Sequence, residues 1–137
     1  MNSREKGKRG EIEGAHFLTR LLKIPIRRGQ QYRGGEDSPD LLGTGSIHFE
    51  VKRQERLNLD RALEQAARDA STSDVPCVLH RCNRKKWKFS FYGDDLLRFV
   101  DAVAELIDRG HFSGPPSDGP RSETRAKAKT IKEEEKA

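Results

Sequence analysis

The chain has 137 residues, of which 36% are charged and 33% are hydrophobic. That length suffices for one hydrophobic core, while the charged fraction places much of the sequence at the surface. The formal net charge is +5, which favours polyanionic partners. The excess charge is concentrated in residues 1–33, which hold nine Lys and Arg against three Asp and Glu.

No signal peptide and no long apolar run is visible in the sequence. We therefore expect an intracellular, cytoplasmic protein without a membrane segment. Cys77 and Cys82 are the only cysteines. Five residues apart in a strand they would point to opposite faces, so a disulfide between them is not expected. A zinc site would need further thiols or imidazoles at suitable spacing, so we expect free thiols.

The hydrophobic periodicity of residues 10–22 predicts the first helix. Pro25 ends this helix and opens a short strand at residues 26–28. Glu11 lies on the apolar stripe of the helix, whereas Glu13 lies well round it and is expected to face solvent. Because a carboxylate on a buried stripe requires a partner or a cation, Glu11 is a candidate for either.

An acidic hairpin is predicted next. Residues 40–42 form a strand, the glycines of residues 43–45 turn it, and residues 47–53 return antiparallel to it. We interpret His48 in the returning strand as a hydrogen-bonded sheet residue. Side chains along a strand alternate between two faces. The alternation assigns Ile47, Phe49 and Val51 to the buried face, and His48, Glu50 and Lys52 to the other face.

The order of helix and strand signals over the whole chain is α-β-β-β-α-β-β-α. It predicts an α/β fold, a single domain with a mixed five-stranded central sheet flanked by helices. We place that domain at residues 1–112 and expect residues 113–137, a charged C-terminal tail, to be disordered. The later elements are a helix starting near Asn58 or Asp60, strands over residues 75–82 and 87–92, and a helix that Asp94 or Asp95 caps.

The carboxylates of Asp40 and Glu50 are suited to hold magnesium. Mg²⁺ prefers oxygen ligands and retains several waters, so one or two carboxylates with a substrate phosphate suffice, and the main-chain carbonyl of Val51 could add a ligand. Lys52, on the same strand face as Glu50, could orient a metal-activated water or stabilise charge in the transition state. The alternative interpretation is that Glu50 and Lys52 are a solvated pair on an exposed strand.

Several separated elements of the chain together resemble the pattern of the PD-(D/E)XK nuclease superfamily. Residues 6–13 also resemble the start of archaeal-type Holliday junction resolvases, including their phage-borne relatives. The resemblance covers roughly residues 6–100. The segment at residues 30–32 lengthens the approach to the hairpin, and the hairpin itself is shorter than in the compact archaeal members. The matching elements are Glu11, Pro39-Asp40 and Glu50-Val51-Lys52.

The resemblance implies a restriction-endonuclease-like core and a magnesium-dependent, structure-selective DNA endonuclease in which Mn²⁺ can substitute for Mg²⁺. As a Holliday junction resolvase it would act as a homodimer and introduce paired nicks across a four-way junction. If the protein is virus-encoded, it would act in the host cell. The implied metal ligands are Glu11, Asp40 and Glu50, in addition to the Val51 carbonyl considered above. The implied catalytic residues are Glu11, Asp40, Glu50, Lys52 and Gln65. For Gln65, a solvent-facing position on its helix is the alternative interpretation.

Basic residues flank the acids in the sequence on both sides. They would hold phosphates on either side of the cut, which gives affinity and salt sensitivity but little sequence selectivity. Each of them taken singly is also compatible with a solvated surface charge. The predicted DNA-binding residues are Lys8, Arg9, Arg27, Arg28, Arg33 and Arg53.

Two alternatives to junction resolution remain open. The first is another endonuclease of the same superfamily that acts on duplex or flap DNA. The second is a non-catalytic DNA-binding protein that uses the basic N-terminal region alone. The acids together with Lys52 argue against the second alternative, because carboxylates repel the phosphates that such a protein would bind.

Overall fold

The helices and strands follow one another in the predicted order in a computed structural model of the chain, which describes residues 3–29 and 39–112. The predicted tail, residues 113–137, and the predicted DNA-binding residue Arg33 lie outside the described residues. The elements are α1 (Ser3–Leu22), β1 (Arg27–Arg28), β2 (Leu41–Leu42), β3 (Ile47–Arg53), α2 (Leu59–Asp69), β4 (Val75–Arg81), β5 (Lys88–Ser90), a 3₁₀ turn (Gly93–Asp95) and α3 (Leu96–Phe112).

The helix starts show where local sequence signals are reliable. The side chain of Asn58 accepts a hydrogen bond from the main-chain N–H of Arg61 at 3.1 Å, so Asn58 is the N-cap of α2, one of the two residues predicted near its start. The first helix instead starts seven residues before the predicted Gly10, at Ser3. Its first turns are polar, so they carry no apolar periodicity although their Lys, Arg and Glu residues favour helix.

The prediction of a single five-stranded sheet is wrong. β3, β4 and β5 form a three-stranded mixed sheet, while β1 and β2 form a separate two-stranded antiparallel ribbon. Within the larger sheet β3 and β4 are parallel, and α2 connects them as the crossover helix. β5 then pairs antiparallel with β4. The predicted hairpin between residues 40–42 and residues 47–53 is therefore also wrong, because β2 pairs with β1.

A side chain occupies the place where the hairpin partner was expected. The main-chain N–H of Val51 donates to Oδ2 of Asp40 at 2.8 Å, so a carboxylate satisfies this donor of β3. The main chain of Asp40 turns the other way, and its carbonyl accepts the N–H of Gly29 at 2.8 Å. A Cβ at Gly29 would overlap the carbonyl oxygen of Pro39, so only glycine allows this approach.

Helices cover both faces of the three-stranded sheet. On one face Phe49 and Val51 join the main core with Ala15 and Leu18 of α1. The other face of β3 carries His48, Glu50 and Lys52, as the alternation predicted. On that side of the sheet, Ala62, Leu63 and Ala66 of α2 pack on Val78 of β4. His48 and Glu50 are consequently buried, with 7% and 6% of their surface exposed. The predicted alternation of faces is correct, but both faces are covered.

Two glycines let α1 approach β3 closely. A Cβ at Gly14 would lie 3.1 Å from Cγ1 of Val51, and a Cβ at Gly10 would lie 3.2 Å from Cβ of Arg53. Residues four positions apart share one face of a helix. Gly10 and Gly14 therefore form the contact face, and Glu11 is carried against the end of β3.

Both cysteines are free thiols, as predicted, and Cys77 is fully buried. Burial raises the pKa of the Cys77 thiol to about 12. Within residues 3–29 and 39–112, no helix combines the length and the apolar character that crossing a bilayer requires.

Candidate active site

Most of the predicted catalytic and metal-binding residues lie together. They line one cleft with a volume of about 400 Å³, to which three separate segments of the chain contribute. α1 provides Glu11, the residue before β2 provides Asp40, and β3 provides the others. The predicted residues in the cleft are Glu11, Asp40, Glu50, Val51 and Lys52, and Lys6, Gly7, Arg53 and Gln54 complete its lining.

Asp40 and Glu50 form a buried acidic pair, each 6% exposed. Burial, followed by the charge of Glu50, raises the pKa of Asp40 to about 8, although the hydrogen bond from Val51 opposes the rise. Burial also raises the pKa of Glu50, against the opposing effects of Lys52 and of a hydrogen bond with Asp40. Two neighbouring carboxyls in a poorly solvated place resist being ionised together, and a cation between them would remove that penalty.

Lys52 provides a positive charge beside the acidic pair of Asp40 and Glu50. Its Nζ lies 3.6 Å from Oε1 of Glu50, and 22% of its side chain is exposed. The charge therefore lies beside the buried acids and also faces the cleft. Glu50 and Lys52 lie side by side on one face of β3, as the alternation predicted. They are not a solvated pair, because the Glu50 side chain is only 8% exposed.

Glu11 has an arginine partner. Oε2 of Glu11 accepts a hydrogen bond from Nε of Arg28 at 2.5 Å, and the two side chains are 12% and 27% exposed. Glu11, a carboxylate on the buried stripe of α1, was expected to need a partner or a cation, and Arg28 of β1 is that partner. A predicted metal ligand and a predicted DNA-binding residue are thus joined in one ion pair at the cleft.

Glu13 is partly open to solvent, as expected, with 36% of its side chain exposed, but it also has two arginine partners. Its carboxylate accepts hydrogen bonds from Arg53 at 3.1 Å and from Arg81 at 2.8 Å, and Arg53 also donates to Asn83 at 3.1 Å. These bonds fasten α1 to the ends of β3 and β4. The guanidinium of Arg53, predicted to bind DNA, is therefore engaged in an internal network while the residue borders the cleft.

The predicted residues Lys8, Arg9 and Arg27 are not among those that line the cleft. Lys8 and Arg9 are exposed on α1, and Arg27 is exposed on β1. Gln65 is partly buried on α2 and is not among the residues that line the cleft. The sequence prediction did not single out Lys6, which does line it. Lys6 lies four positions before Gly10, on the face of α1 that contacts β3, so extending the helix backwards from Gly10 would have found it.

A second group of polar side chains adjoins Glu50 on the α2 side. Nε2 of His48 lies 4.0 Å from Oε2 of Glu50, and Asp69, at the end of α2, completes a cluster whose ligand atoms lie within 4.8 Å of one another. Burial lowers the pKa of His48, although Asp69 and Asp74 oppose this. The interpretation of His48 as a hydrogen-bonded residue fails at Nε2, which has no hydrogen-bond partner among the described residues.

The cleft therefore offers oxygen donors, an ammonium and basic residues at its border, a combination that can bind a divalent cation and a phosphate together.

In comparisons with family models, curated proteins and solved structures, no match to the chain was found.

Proposed function

We propose that this chain is a magnesium-dependent DNA endonuclease. The observation that carries the proposal is the convergence of Glu11, Asp40 and Glu50 with Lys52 on one cleft. Carboxylates alone repel a DNA phosphate, whereas carboxylates grouped with ammonium groups are suited to hold a cation against it. Simple DNA binding through a basic surface would not require such a group.

The donor set fits magnesium. Asp40 and Glu50 present carboxylate oxygens in a place where burial, and then the charge of Glu50, raise the pKa of Asp40 to about 8. These two residues would hold the ion, with Glu11 and the main-chain carbonyl of Val51 as the further proposed ligands, and Mn²⁺ would be accepted by the same oxygens. When bound, the ion would polarise a phosphoryl oxygen and lower the pKa of a water molecule.

The chain's own residues would position the phosphate and stabilise its charge. Lys52 is held by Glu50 at 3.6 Å and faces the cleft, so its ammonium can contact a phosphate oxygen on which negative charge develops. Asp40 is fixed by the main chain of Val51 at 2.8 Å. Such anchoring keeps the acids in place without a rearrangement when the substrate binds.

Lys6 at the cleft and exposed basic residues of the same two elements, α1 and β1, support a nucleic-acid substrate. Lys6 lines the cleft, Lys8 and Arg9 are exposed on α1, and Arg27 is exposed on β1. They would contact phosphates flanking the cut, which gives binding that depends on salt and little on sequence.

We further propose that the substrate is a four-way DNA junction and that the protein acts on it in the cytoplasm as a twofold homodimer. The sequence resemblance to Holliday junction resolvases supports the junction.

Large apolar side chains at the start of α3 support the dimer, because Leu96, Leu97 and Val100 are 51%, 76% and 53% exposed. Sedimentation of Leu97→Glu would show a monomer if this surface is the interface, and an unchanged dimer if it is not.

Cleavage of three labelled substrates in Mg²⁺ tests the proposal. A four-way junction, a flap and a linear duplex of the same sequence would be compared at equal concentration. Symmetric nicks confined to the junction are expected. Equal cutting of the duplex would favour the alternative of a general endonuclease, and binding without cleavage of any substrate would favour a non-catalytic DNA-binding protein.

A further inference from the structure

The cluster of His48, Glu50 and Asp69 has no role in the proposed nuclease apart from its shared carboxylate. One ligand atom from each of the three side chains lies within 4.8 Å of the other two. His48 and Glu50 come from β3, two residues apart and hence on one face, and Asp69 is the last residue of α2. The cluster therefore depends on packing of α2 over the sheet and is not a local feature of the sequence.

The imidazole provides an independent sign that the cluster binds a ligand. His48 is 7% exposed, and its Nε2 is buried without a hydrogen-bond partner within the described part of the chain. This nitrogen lies 4.0 Å from Oε2 of Glu50. Buried polar atoms in native structures are almost always paired, so an unpaired imidazole nitrogen in a cluster with two carboxylates points to a group that binds among them.

The chemistry of the donors indicates which ion fits. Magnesium takes oxygen ligands, whereas an imidazole nitrogen together with carboxylates suits zinc, manganese and related transition ions. Ligands at about 2.1 Å from a tetrahedral zinc ion lie about 3.4 Å from one another. The three groups would therefore draw together modestly around an ion, and water would fill the remaining position.

We propose that His48, Glu50 and Asp69 form a binding site for a divalent transition-metal ion, distinct from the magnesium cleft. The ligands are Nε2 of the neutral imidazole and one oxygen from each carboxylate. The proposal rests on the geometry of these three side chains and does not require that the protein cleave DNA.

Glu50 connects this site to the cleft. Its Oε1 lies 3.6 Å from Nζ of Lys52, and its Oε2 lies 4.0 Å from Nε2 of His48. An ion at the His48 site would hold the carboxylate that Lys52 contacts. Occupancy of one site therefore changes the affinity of the other, and this coupling is reciprocal.

The test uses the full, tag-free chain, freed of metal, with two probes. Zinc binding is measured by calorimetry, and Mn²⁺ is examined by pulsed electron paramagnetic resonance, which detects a coordinated imidazole nitrogen through its coupling to the electron spin. We expect one zinc ion per His48 site, and a nitrogen coupling in the manganese spectrum. Oxygen ligands of the cleft would give no such coupling.

Substitutions assign the ligands. His48→Gln and Asp69→Asn should each weaken zinc binding at least tenfold, and His48→Gln should abolish the nitrogen coupling. His16→Gln and Glu64→Gln alter exposed residues on α1 and α2 and serve as matched controls that leave both signals unchanged. If circular dichroism shows that His48→Gln does not fold, Asp69→Asn and the wild-type nitrogen coupling decide the question.

Glu11→Gln separates this proposal from the nuclease proposal. It changes a cleft ligand but none of the three groups, so zinc binding and the nitrogen coupling should persist whether or not DNA is cleaved. The proposal is overturned if the folded wild-type chain takes up no zinc, if the manganese spectrum lacks a nitrogen coupling, or if His48→Gln and Asp69→Asn bind zinc as tightly as the wild type.

Discussion

The carboxylate of Asp40 accepts a hydrogen bond from the main-chain N–H of Val51 at 2.8 Å. An acid proposed to bind metal thus occupies a position on β3 where a neighbouring strand would otherwise bond. The contact fixes Asp40 against the strand that also carries Glu50 and Lys52. One hydrogen bond accordingly accounts for two features, the interruption of the sheet beside β3 and the convergence of the acids.

Asp40 variants test this contact. Asp40→Asn keeps an oxygen acceptor for the Val51 N–H, whereas Asp40→Ala leaves that buried donor without its partner. Both variants lack the charge, so their difference reports the loss of the polar side chain that accepts the Val51 N–H. We expect Asp40→Ala to be less stable than Asp40→Asn by about 1–3 kcal/mol. Urea unfolding of the two variants at pH 7 measures the difference, and equal stability would contradict the assignment.

The stability of the metal-free protein should decrease as pH rises. The pKa of Asp40 is raised from its ordinary value of 3.8 to about 8, mainly by burial and then by the charge of Glu50. Between these values the folded protein keeps a proton that the unfolded chain releases, so the free energy of unfolding falls with increasing pH. The contribution of Asp40 is fully present below about pH 4 and is lost as pH rises through 8.

Thermal unfolding between pH 5 and pH 9 in a metal chelator checks this dependence. Because Asp40→Asn cannot titrate, it should show a flatter profile than the wild type over this range. A melting temperature that falls equally steeply in both proteins would assign the pH dependence to other groups.

Gly14 is expected to be necessary for the packing of α1. A Cβ there would already lie 3.1 Å from Val51 and 3.3 Å from Leu79, whereas a Cβ at Gly7 meets nothing within 4 Å. Gly14→Leu should therefore lower stability by about 1–3 kcal/mol through overpacking. Gly7→Leu is the matched control and should be neutral or slightly stabilising, because leucine favours helix over glycine. Denaturant unfolding distinguishes them.

Adjacent arginines on β1 should contribute unequally to DNA binding. Arg27 is exposed, while the Nε of Arg28 is bonded to Glu11 at 2.5 Å. We expect Arg27→Ala to reduce the slope of log affinity against log salt by about 1, as for the loss of one phosphate contact. Arg28→Ala should reduce that slope less. Fluorescence anisotropy across a salt series measures both slopes, and the reverse order would refute the distinction.

The sequence predicted the order of elements because helical and strand periodicities are local. Asn58 marks the start of α2 by a cap that its own side chain makes. The pairing of the strands could not be predicted in the same way. β1 and β2 have two residues each, too few to carry a period. The hairpin that the glycines of residues 43–45 suggested does not form, and the side chain of Asp40 accepts the N–H of Val51 on β3.

The site was predictable where its residues form a recognisable pattern along the chain. Glu11, Asp40 and Glu50 do, and the structure brings them together. Contacts between distant elements left no such pattern. Arg81 reaches Glu13 across 68 positions, and Asp69 reaches His48 only because α2 packs over the sheet. Sequence reasoning consequently missed the arginine partners of Glu13 and assigned His48 to an ordinary sheet contact.

The rate of junction cleavage under single-turnover conditions is the decisive test of whether these acids form a catalytic centre. With enzyme in excess and Mg²⁺ saturating, Glu50→Gln should cut at least about a thousandfold more slowly than the wild type while binding the junction with similar affinity. Glu64→Gln, an exposed change on α2, should cut at the wild-type rate. Cleavage by folded Glu50→Gln at the wild-type rate would contradict the proposal that these acids form the catalytic centre.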